Sequence, residues 1–282
     1  MTASPSPGLA EQFARDGYIV LSDTIDRDAL SRLRAAAAAI VDEFDIAANQ
    51  TVFTTDDRDA GRDDYFFDSA EAVHCFLEAG ALDAAGELTR DKSLAINKIG
   101  HAMHDLDPVF TDFCRQPVFG QVLREIGYVR PLLYQSMYIF KQPGIGGEVR
   151  WHQDASYLMA EGRGVTGIWV ALEDASQENG CLWVQPGQHR SPLRERYLVD
   201  WESRRGALET LSDEPWNGED YGIPVEVSAG SVIVFSDRMP HYSSTNTSAR
   251  SRHAFTLHVA EREDKWLAEN WLQRPNLPPF EL

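Results

Sequence analysis

The sequence predicts a mainly β protein, an antiparallel barrel or sandwich preceded by helices. The second half contains short runs of β-branched and aromatic residues, at 132–140, 165–172, 181–184, 225–227, 231–235 and 255–259. Gly, Pro, Asn and Ser separate these runs, as is typical of antiparallel strands joined by turns. No internal repeat or linker divides the chain, so we expect a single domain over residues 1–282.

The first half carries the helical signals. An amphipathic segment at 9–17 leads into a short apolar run at 18–21 that fits a buried strand. Asp26 offers an N-cap for residues 29–44, which are rich in alanine and contain no Gly or Pro. Apolar residues recur at near-helical spacing from 108 to 126. We therefore expect flanking helices at the N-terminal side of the β core.

Two polar segments interrupt this pattern. Residues 48–68 are rich in Asp, Thr and Arg and show no apolar periodicity, so a loop is expected there. Residues 190–222 are also polar, and they include Trp201, Trp216 and Tyr221. A loop of that length is either a lid or substrate-binding segment, or a solvated insertion. Both interpretations stay open.

The charge and the cysteines limit the classes of partner. The net charge is −18, from 44 acidic and 26 basic residues, so binding to nucleic acid or to anionic membranes is not expected. Cys75, Cys114 and Cys181 form no CxxC pair, which favours free thiols in a reducing compartment. The chain starts without a signal-peptide pattern and has no run of roughly 18 apolar residues. We expect a cytoplasmic protein that acts on a small molecule, in an oligomeric state that the sequence does not indicate.

A candidate metal site begins at residues 151–154, which read Trp-His-Gln-Asp. His152 and Asp154 form the single HxD of the chain. Residues two apart in an extended segment point the same way, so an imidazole and a carboxylate can reach one metal ion. Alone this pattern is weak, because HxD arises by chance in many proteins.

A second signal strengthens the metal hypothesis. Residues 230–241 read as a strand followed by a turn that ends in His241. Two histidines and one carboxylate leave coordination positions open, which is typical of non-haem iron oxygenases. Closed structural zinc sites prefer four protein ligands, often thiolates, and the isolated cysteines do not supply them.

An arginine after His241 suits an anionic cosubstrate. Arg250 and Arg252 follow a turn-rich stretch, and a hairpin there would return the chain beside the strand of His241. A guanidinium matches a carboxylate with two parallel hydrogen bonds. The two arginines share one face of a strand, so spacing alone does not choose between them. We prefer Arg252, which lies deeper in the apolar run.

Seven segments resemble the phytanoyl-CoA dioxygenase family. They are Gln-Ser-Met-Tyr-Ile-Phe-Lys-Gln-Pro at 135–143, Gly-Gly-Glu-Val at 146–149, His-Gln-Asp-Ala-Ser at 152–156, Glu-Asn-Gly-Cys-Leu-Trp at 178–183, Pro-Gly-Gln-His at 186–189, Arg-Ser-Arg at 250–252 and Glu-Asn-Trp-Leu-Gln at 269–273. The likeness covers most of the chain from about residue 10. It implies a double-stranded β-helix, that is, a cupin-like jelly-roll core with N-terminal helices.

The resemblance also implies cofactors and site residues. Iron(II), 2-oxoglutarate and O₂ are expected, with His152, Asp154 and His241 as catalytic metal ligands and Arg252 on the distal carboxylate of 2-oxoglutarate. Further residues match family positions around the cosubstrate, or share a strand face with one: Lys98, Met137, Trp169 and Gln135. The remaining histidines are expected to be structural rather than catalytic: His74, His101, His104, His189, His253 and His258. Among them, His101 is the one most expected to lie in the pocket, because it follows Lys98.

The expected activity is oxidation, most simply hydroxylation, of a small organic substrate with release of succinate and CO₂. Asp154 disfavours halogenation, because related halogenases lack this carboxylate. Desaturation, epoxidation and cyclisation stay open. Two alternatives from other classes also stay open: a non-catalytic metal-binding β-barrel, and a cupin-type hydrolase or isomerase that uses zinc or manganese.

Overall fold

A computed structural model describes residues 8–53 and 63–282. The α-helices in those ranges are α1 Leu9–Asp16, α2 Arg27–Glu43, α3 Asp64–Asp68, α4 Met103–Leu106, α5 Pro108–Cys114, α6 Pro117–Glu125 and α7 Gly218–Tyr221. The Asp26 carboxylate accepts the backbone N–H of Ala29 at 2.8 Å and caps α2, as the sequence predicts. Nowhere in those ranges does a helix reach the length and apolarity that crossing a bilayer requires.

The β-strands fall mostly in the second half. They are β1 Tyr18–Leu21, β2 Val52–Phe53, β3 Val73–Glu78, β4 Ile96–His101, β5 Pro131–Lys141, β6 Val149–His152, β7 Ala160–Glu161, β8 Val165–Ala171, β9 Leu182–Val184, β10 Glu195–Asp200, β11 Arg205–Thr210, β12 Ile223–Val225, β13 Val232–Ser236, β14 His241–Ser243, β15 Arg252–Glu261, β16 Lys265–Trp266 and β17 Phe280–Glu281. Strands occur at all six of the predicted apolar runs, so the mainly β prediction is confirmed.

Two sheets form the core. The larger has the order β1-β13-β8-β15-β5-β4-β3-β2, with β17 also paired to β5. The smaller has the order β12-β9-β14-β6. Residues of both sheets line one cavity. Among the described residues, β2 and β3 are the one parallel pair, and all other paired strands are antiparallel. This arrangement is the expected double-stranded β-helix.

Strand β15 separates the helical layer from the cavity. Phe255, Leu257 and Val259 are fully buried in one apolar cluster with residues of α2, α5 and α6. The alternate residues face the cavity, because successive side chains of a strand point to opposite sides. Burial of each large apolar side chain contributes about 1.5–3 kcal/mol. The helices therefore fix the back of the strand that carries Arg252.

Three sequence expectations about loops and helices were wrong in detail. The helix expected over 108–126 is two helices, because Pro117 disfavours a helical conformation at the preceding Gln116. The loop expected at 48–68 contains β2 and α3, with residues 54–62 lying outside the described ranges. The loop expected at 190–222 contains the antiparallel hairpin of β10 and β11.

Asp237 ties the end of β13 to the segment that carries Asp154. Its carboxylate accepts the N–H of Val165 at 2.9 Å, and its carbonyl oxygen accepts the N–H of Ala155 at 2.9 Å. Burial raises the pKa of Asp237 from 3.8 to about 6. Because the folded pKa lies above the unfolded one, the folded state loses stability as the pH rises from about 4 through 6.

We therefore expect Asp237→Asn, which keeps an acceptor oxygen without a charge, to gain stability relative to the wild type as the pH rises. The gain between pH 4.5 and pH 7.5 should be roughly 2 kcal/mol, since one pKa unit corresponds to about 1.4 kcal/mol. Denaturant unfolding at both pH values measures it. The exposed Asp112→Asn controls for the substitution, and a difference that does not grow with pH contradicts the account.

Candidate metal centre and cosubstrate site

Three predicted ligands meet at the mouth of the β-helix. His152 ends β6, Asp154 opens the 3-10 turn at 154–156, and His241 begins β14. Strands β6 and β14 pair with His241 directly opposite His152. One ligand atom from each of the three residues lies within 4.8 Å of the other two. Residues 89 positions apart therefore meet through strand pairing.

Backbone hydrogen bonds orient both imidazoles. Nδ1 of His152 lies 2.8 Å from the carbonyl oxygen of Arg150, and Nδ1 of His241 lies 3.0 Å from that of Met239. Each Nδ1 therefore carries the proton and donates it to a carbonyl, which leaves the Nε2 lone pair free. The two Nε2 atoms lie 3.6 and 3.5 Å from Oδ1 of Asp154.

The protonation states suit metal binding. Burial, together with the nearby His152, lowers the pKa of His241 to about 4, so its ring is neutral at pH 7. Burial opposes ionisation of Asp154, but the adjacent His241 and His258 lower its pKa well below the usual range. Two imidazoles and one carboxylate are an N₂O donor set that fits iron(II) and leaves coordination positions open.

His258 holds the other oxygen of the carboxylate. Its Nε2 lies 3.1 Å from Oδ2 of Asp154, while Oδ1 faces the two other histidines. His258 was expected to be structural, and the structure gives it a specific contact with a candidate metal ligand. The signal that could have found it is its position six residues after Arg252, on the same face of one strand.

Arg252 is buried beside the metal site with few partners. It is 2% exposed, and its Nη2 reaches Oγ of Ser243 at 3.4 Å. Its Nε and Nη1 have no hydrogen-bond partner among the described residues. Burial lowers the pKa of Arg252 to about 10, so the group is still a cation at pH 7. A buried guanidinium with free donors fits a carboxylate.

Arg250 does not share this environment. It is exposed and lines a separate surface depression with Glu173 and Asn179. The expected hairpin between the strands of His241 and Arg252 does not form. Strand β15 pairs with β5 and β8 of the larger sheet, and β14 belongs to the smaller one. Arg252 therefore approaches the metal site across the gap between the sheets.

The other predicted cosubstrate residues also line the cavity. Met137 and Trp169 lie opposite Thr256 in the two strands that flank β15. The Trp169 ring centroid lies 5.3 Å from Cζ of Arg252. Gln135 lies opposite His258, and Lys98 lies with its Nζ 3.2 Å from the centroid of the Phe53 ring. These side chains share one face of neighbouring strands.

An aromatic wall completes the cavity, and of its members the sequence pointed only to His101 as a pocket residue. Phe66 and Trp271 pack with ring centroids 4.4 Å apart, and His101 lies 4.9 Å from Trp271. Tyr157 and Tyr197 lie with centroids 6.1 Å apart. All five line the cavity, whose volume is about 260 Å³. They come from segments far apart in sequence, so no local pattern groups them.

A β-helix with two imidazoles and one carboxylate at its mouth defines a class, the non-haem metal oxygenases. The model of the phytanoyl-CoA dioxygenase (PhyH) family matches residues 13–254. The chain belongs to this family. It is therefore an iron(II)- and 2-oxoglutarate-dependent dioxygenase, which confirms the expected enzyme class and its cofactors iron(II), 2-oxoglutarate and O₂.

Curated relatives match along nearly the whole chain. A protein of Arabidopsis thaliana named phytanoyl-CoA dioxygenase is 39% identical, over 99% of this chain and 97% of its own. The phytanoyl-CoA dioxygenase domain-containing protein 1 of Danio rerio is 37% identical, over 96% of this chain and 95% of its own. The resemblance found in the sequence motifs is thereby confirmed.

Solved structures share the fold. EctD from S. alaskensis, with 2-oxoglutarate and 5-hydroxyectoine, has a TM-score of 0.65 and 21% identity, covering 99% of this chain and 87% of its own. The epimerase SnoN, in complex with Fe3+, alpha ketoglutarate and nogalamycin RO, has a TM-score of 0.64 and 15% identity, covering 95% and 89%. At these identities the likeness supports the fold alone.

The contact of His258 with Asp154 generates a prediction. We expect His258→Leu to weaken iron(II) binding about 10-fold or more, because loss of a hydrogen bond to a ligating carboxylate typically costs that much. His258→Gln keeps an N–H donor and should restore most of the affinity. Anaerobic iron(II) titration measures both variants. Equal affinities in wild type and His258→Leu would show that the contact does not position the ligand.

Proposed function

We propose that this protein hydroxylates a small organic substrate, with His152, Asp154 and His241 as the iron ligands and Arg252 as the cosubstrate-binding residue. The observation that carries the proposal is an oriented donor triad on the same cavity as a buried arginine that has no ion-pair partner among the described residues. A buried cation without a partner is costly, so its presence indicates a site for an anion.

Three side chains would hold the metal ion. His152 and His241 would bind the metal through Nε2, and Asp154 would bind through Oδ1. When bound, iron(II) supplies the chemistry that couples decarboxylation of 2-oxoglutarate to oxidation of a substrate C–H bond. The overall balance is substrate, O₂ and 2-oxoglutarate giving hydroxylated substrate, succinate and CO₂.

The chain itself would bind and orient. Arg252 would pair with the distal carboxylate of 2-oxoglutarate, with Trp169 and Met137 against its carbon chain and Lys98 and Gln135 on the cavity walls. The aromatic wall would exclude water, which strengthens charge interactions inside the cavity and limits side reactions. Because Asp154 occupies the carboxylate position, hydroxylation is favoured over halogenation.

The insertion at 190–222 is proposed to shape the substrate end of one domain spanning 1–282. Glu195 and Tyr197 of β10 and Leu208 of β11 line the cavity. Trp201 anchors the hairpin, since its Nε1 donates to the carbonyl oxygen of Asn270 at 3.1 Å. A wall built on paired strands fits a substrate-binding segment better than a solvated loop.

Arg252→Leu should raise the 2-oxoglutarate concentration needed for half-maximal succinate formation by about 100-fold or more. Loss of one partner of a buried charge pair costs about 2–5 kcal/mol, and 1.4 kcal/mol is tenfold. Arg250→Leu is the matched control, because Arg250 is exposed outside the cavity, and it should leave this value unchanged. Equal shifts in the two variants would remove Arg252 from the proposal.

Asp154→Ala should abolish succinate formation, because two histidines alone bind iron(II) weakly and leave it poorly oriented. The measurements are succinate released in the presence of 2-oxoglutarate, and substrate consumed with and without 2-oxoglutarate, in the wild type and in the variant. Undiminished turnover in Asp154→Ala would show that Asp154 is not an iron ligand. Activity that does not require 2-oxoglutarate would instead support a hydrolase or isomerase, and no turnover with any substrate would support a binding module.

A further inference from the structure

A second arginine faces the cavity near the metal site. Arg150 lies on β6 two residues before His152, so both side chains leave the same face of the strand. The two positions are separated by about 6.6 Å along the strand, at roughly 3.3 Å per residue. Arg150 lines the same cavity as the ligand triad. Its guanidinium is therefore within reach of a molecule bound next to the metal.

Arg150 has no acidic partner in the part of the chain that the structure describes. Its Nε is buried and makes no hydrogen bond there, and its side chain forms no ion pair with any described carboxylate. The half-buried side chain places its guanidinium at the cavity wall. Such a cation is unusual in a protein with a net charge of −18, where carboxylates outnumber basic groups.

Nearby cavity acids are already engaged elsewhere. Glu78 accepts the side-chain amide of Asn97 at 2.8 Å, and Glu148 accepts the Tyr242 hydroxyl at 3.0 Å. Asp154 is bound by His258. None of the described cavity carboxylates, Glu195 of β10 included, forms an ion pair with Arg150. A charge exposed to a partly apolar cavity favours an external anion.

The cosubstrate does not account for this charge. Under the proposed function, Arg252 pairs with the distal carboxylate of 2-oxoglutarate and the metal takes its keto-acid end. Arg150 then remains for a different anion. A guanidinium presents a planar fork of donors that matches an oxyanion with two hydrogen bonds.

We propose that the substrate is a small organic carboxylate whose anionic group pairs with Arg150. Its apolar body packs against Phe66, Tyr157 and Trp271 of the aromatic wall. This inference rests on the proposed function. A cavity of about 260 Å³ is at the low end for small-molecule sites, which are typically about 300–1,000 Å³. Because the same cavity must also hold 2-oxoglutarate, its volume favours a compact carboxylate over a bulky thioester with several phosphates.

The test uses probes that share one skeleton and differ in charge. They are 4-phenylbutanoate, 4-phenylbutanamide, 4-phenylbutylamine and 4-phenylbutyl phosphate. Each is titrated anaerobically into the full chain loaded with iron(II) and saturating 2-oxoglutarate. The change in the visible charge-transfer band reports binding, and succinate formation in air reports coupling to turnover.

We expect the wild type to bind the carboxylate at least about 10-fold more tightly than the amide, because a charge-assisted hydrogen bond exceeds a neutral one by that order. Arg150→Met should reduce the carboxylate affinity to that of the amide. Arg150→Lys should retain part of the preference, since it keeps the charge without the fork. Arg250→Met is the matched control and should behave as the wild type.

Several results overturn the inference. The inference is wrong if the wild type binds the carboxylate and the amide equally or binds none of the probes. It is also wrong if Arg150→Met still prefers the carboxylate as the wild type does. A stronger response to the phosphate would replace the carboxylate class with a phosphorylated one. Loss of 2-oxoglutarate affinity in Arg150→Met would assign Arg150 to the cosubstrate. Failure of 2-oxoglutarate to bind the wild type would refute the proposed function instead, so the two failures are distinguishable.

Discussion

The carboxylate of Asp154 joins the two sheets, and the site depends on that link. Oδ1 faces the imidazoles of His152 and His241, which belong to the smaller sheet. Oδ2 is bound by His258, which belongs to β15 of the larger sheet. A buried carboxylate is stable only when both oxygens have partners. The same contacts that keep Asp154 ionised therefore also fix the distance between the candidate metal ligands and the strand of Arg252.

Two neighbouring basic side chains in the cavity, Lys141 and Arg252, differ in whether the protein supplies their hydrogen-bond partners. Lys141 lies opposite Arg252 on β5, and its Nζ donates to the carbonyl oxygens of Gly147 and Ser244 at 2.6 and 2.8 Å. Burial and the nearby Arg252 lower the pKa of Lys141 well below its usual range. The lysine is satisfied by the backbone, whereas Arg252 keeps two nitrogens without a partner among the described residues. The unsatisfied cation is the one available to a ligand.

The sequence predicted the features that are local or periodic. Strand runs and the N-cap at Asp26 could be predicted from neighbouring residues. The candidate triad could be predicted from one HxD and from one strand followed by a turn that ends in a histidine. The sequence did not predict that β15 pairs with β5 and β8 rather than with β14. The choice of sheet depends on contacts between strands that are distant in sequence. Apart from His101, the aromatic wall escaped prediction for the same reason, since Phe66 and Trp271 are about two hundred residues apart.

The central claim is that the triad and Arg252 together form one site for iron(II) and 2-oxoglutarate. The most direct measurement is an anaerobic titration of iron(II)-loaded protein with 2-oxoglutarate, followed by the weak visible charge-transfer band. The account predicts that the band appears and saturates in the wild type, is absent in Asp154→Ala, and appears in Arg252→Leu only at much higher 2-oxoglutarate. A wild-type protein that binds iron(II) but gives no band at any 2-oxoglutarate concentration would contradict it.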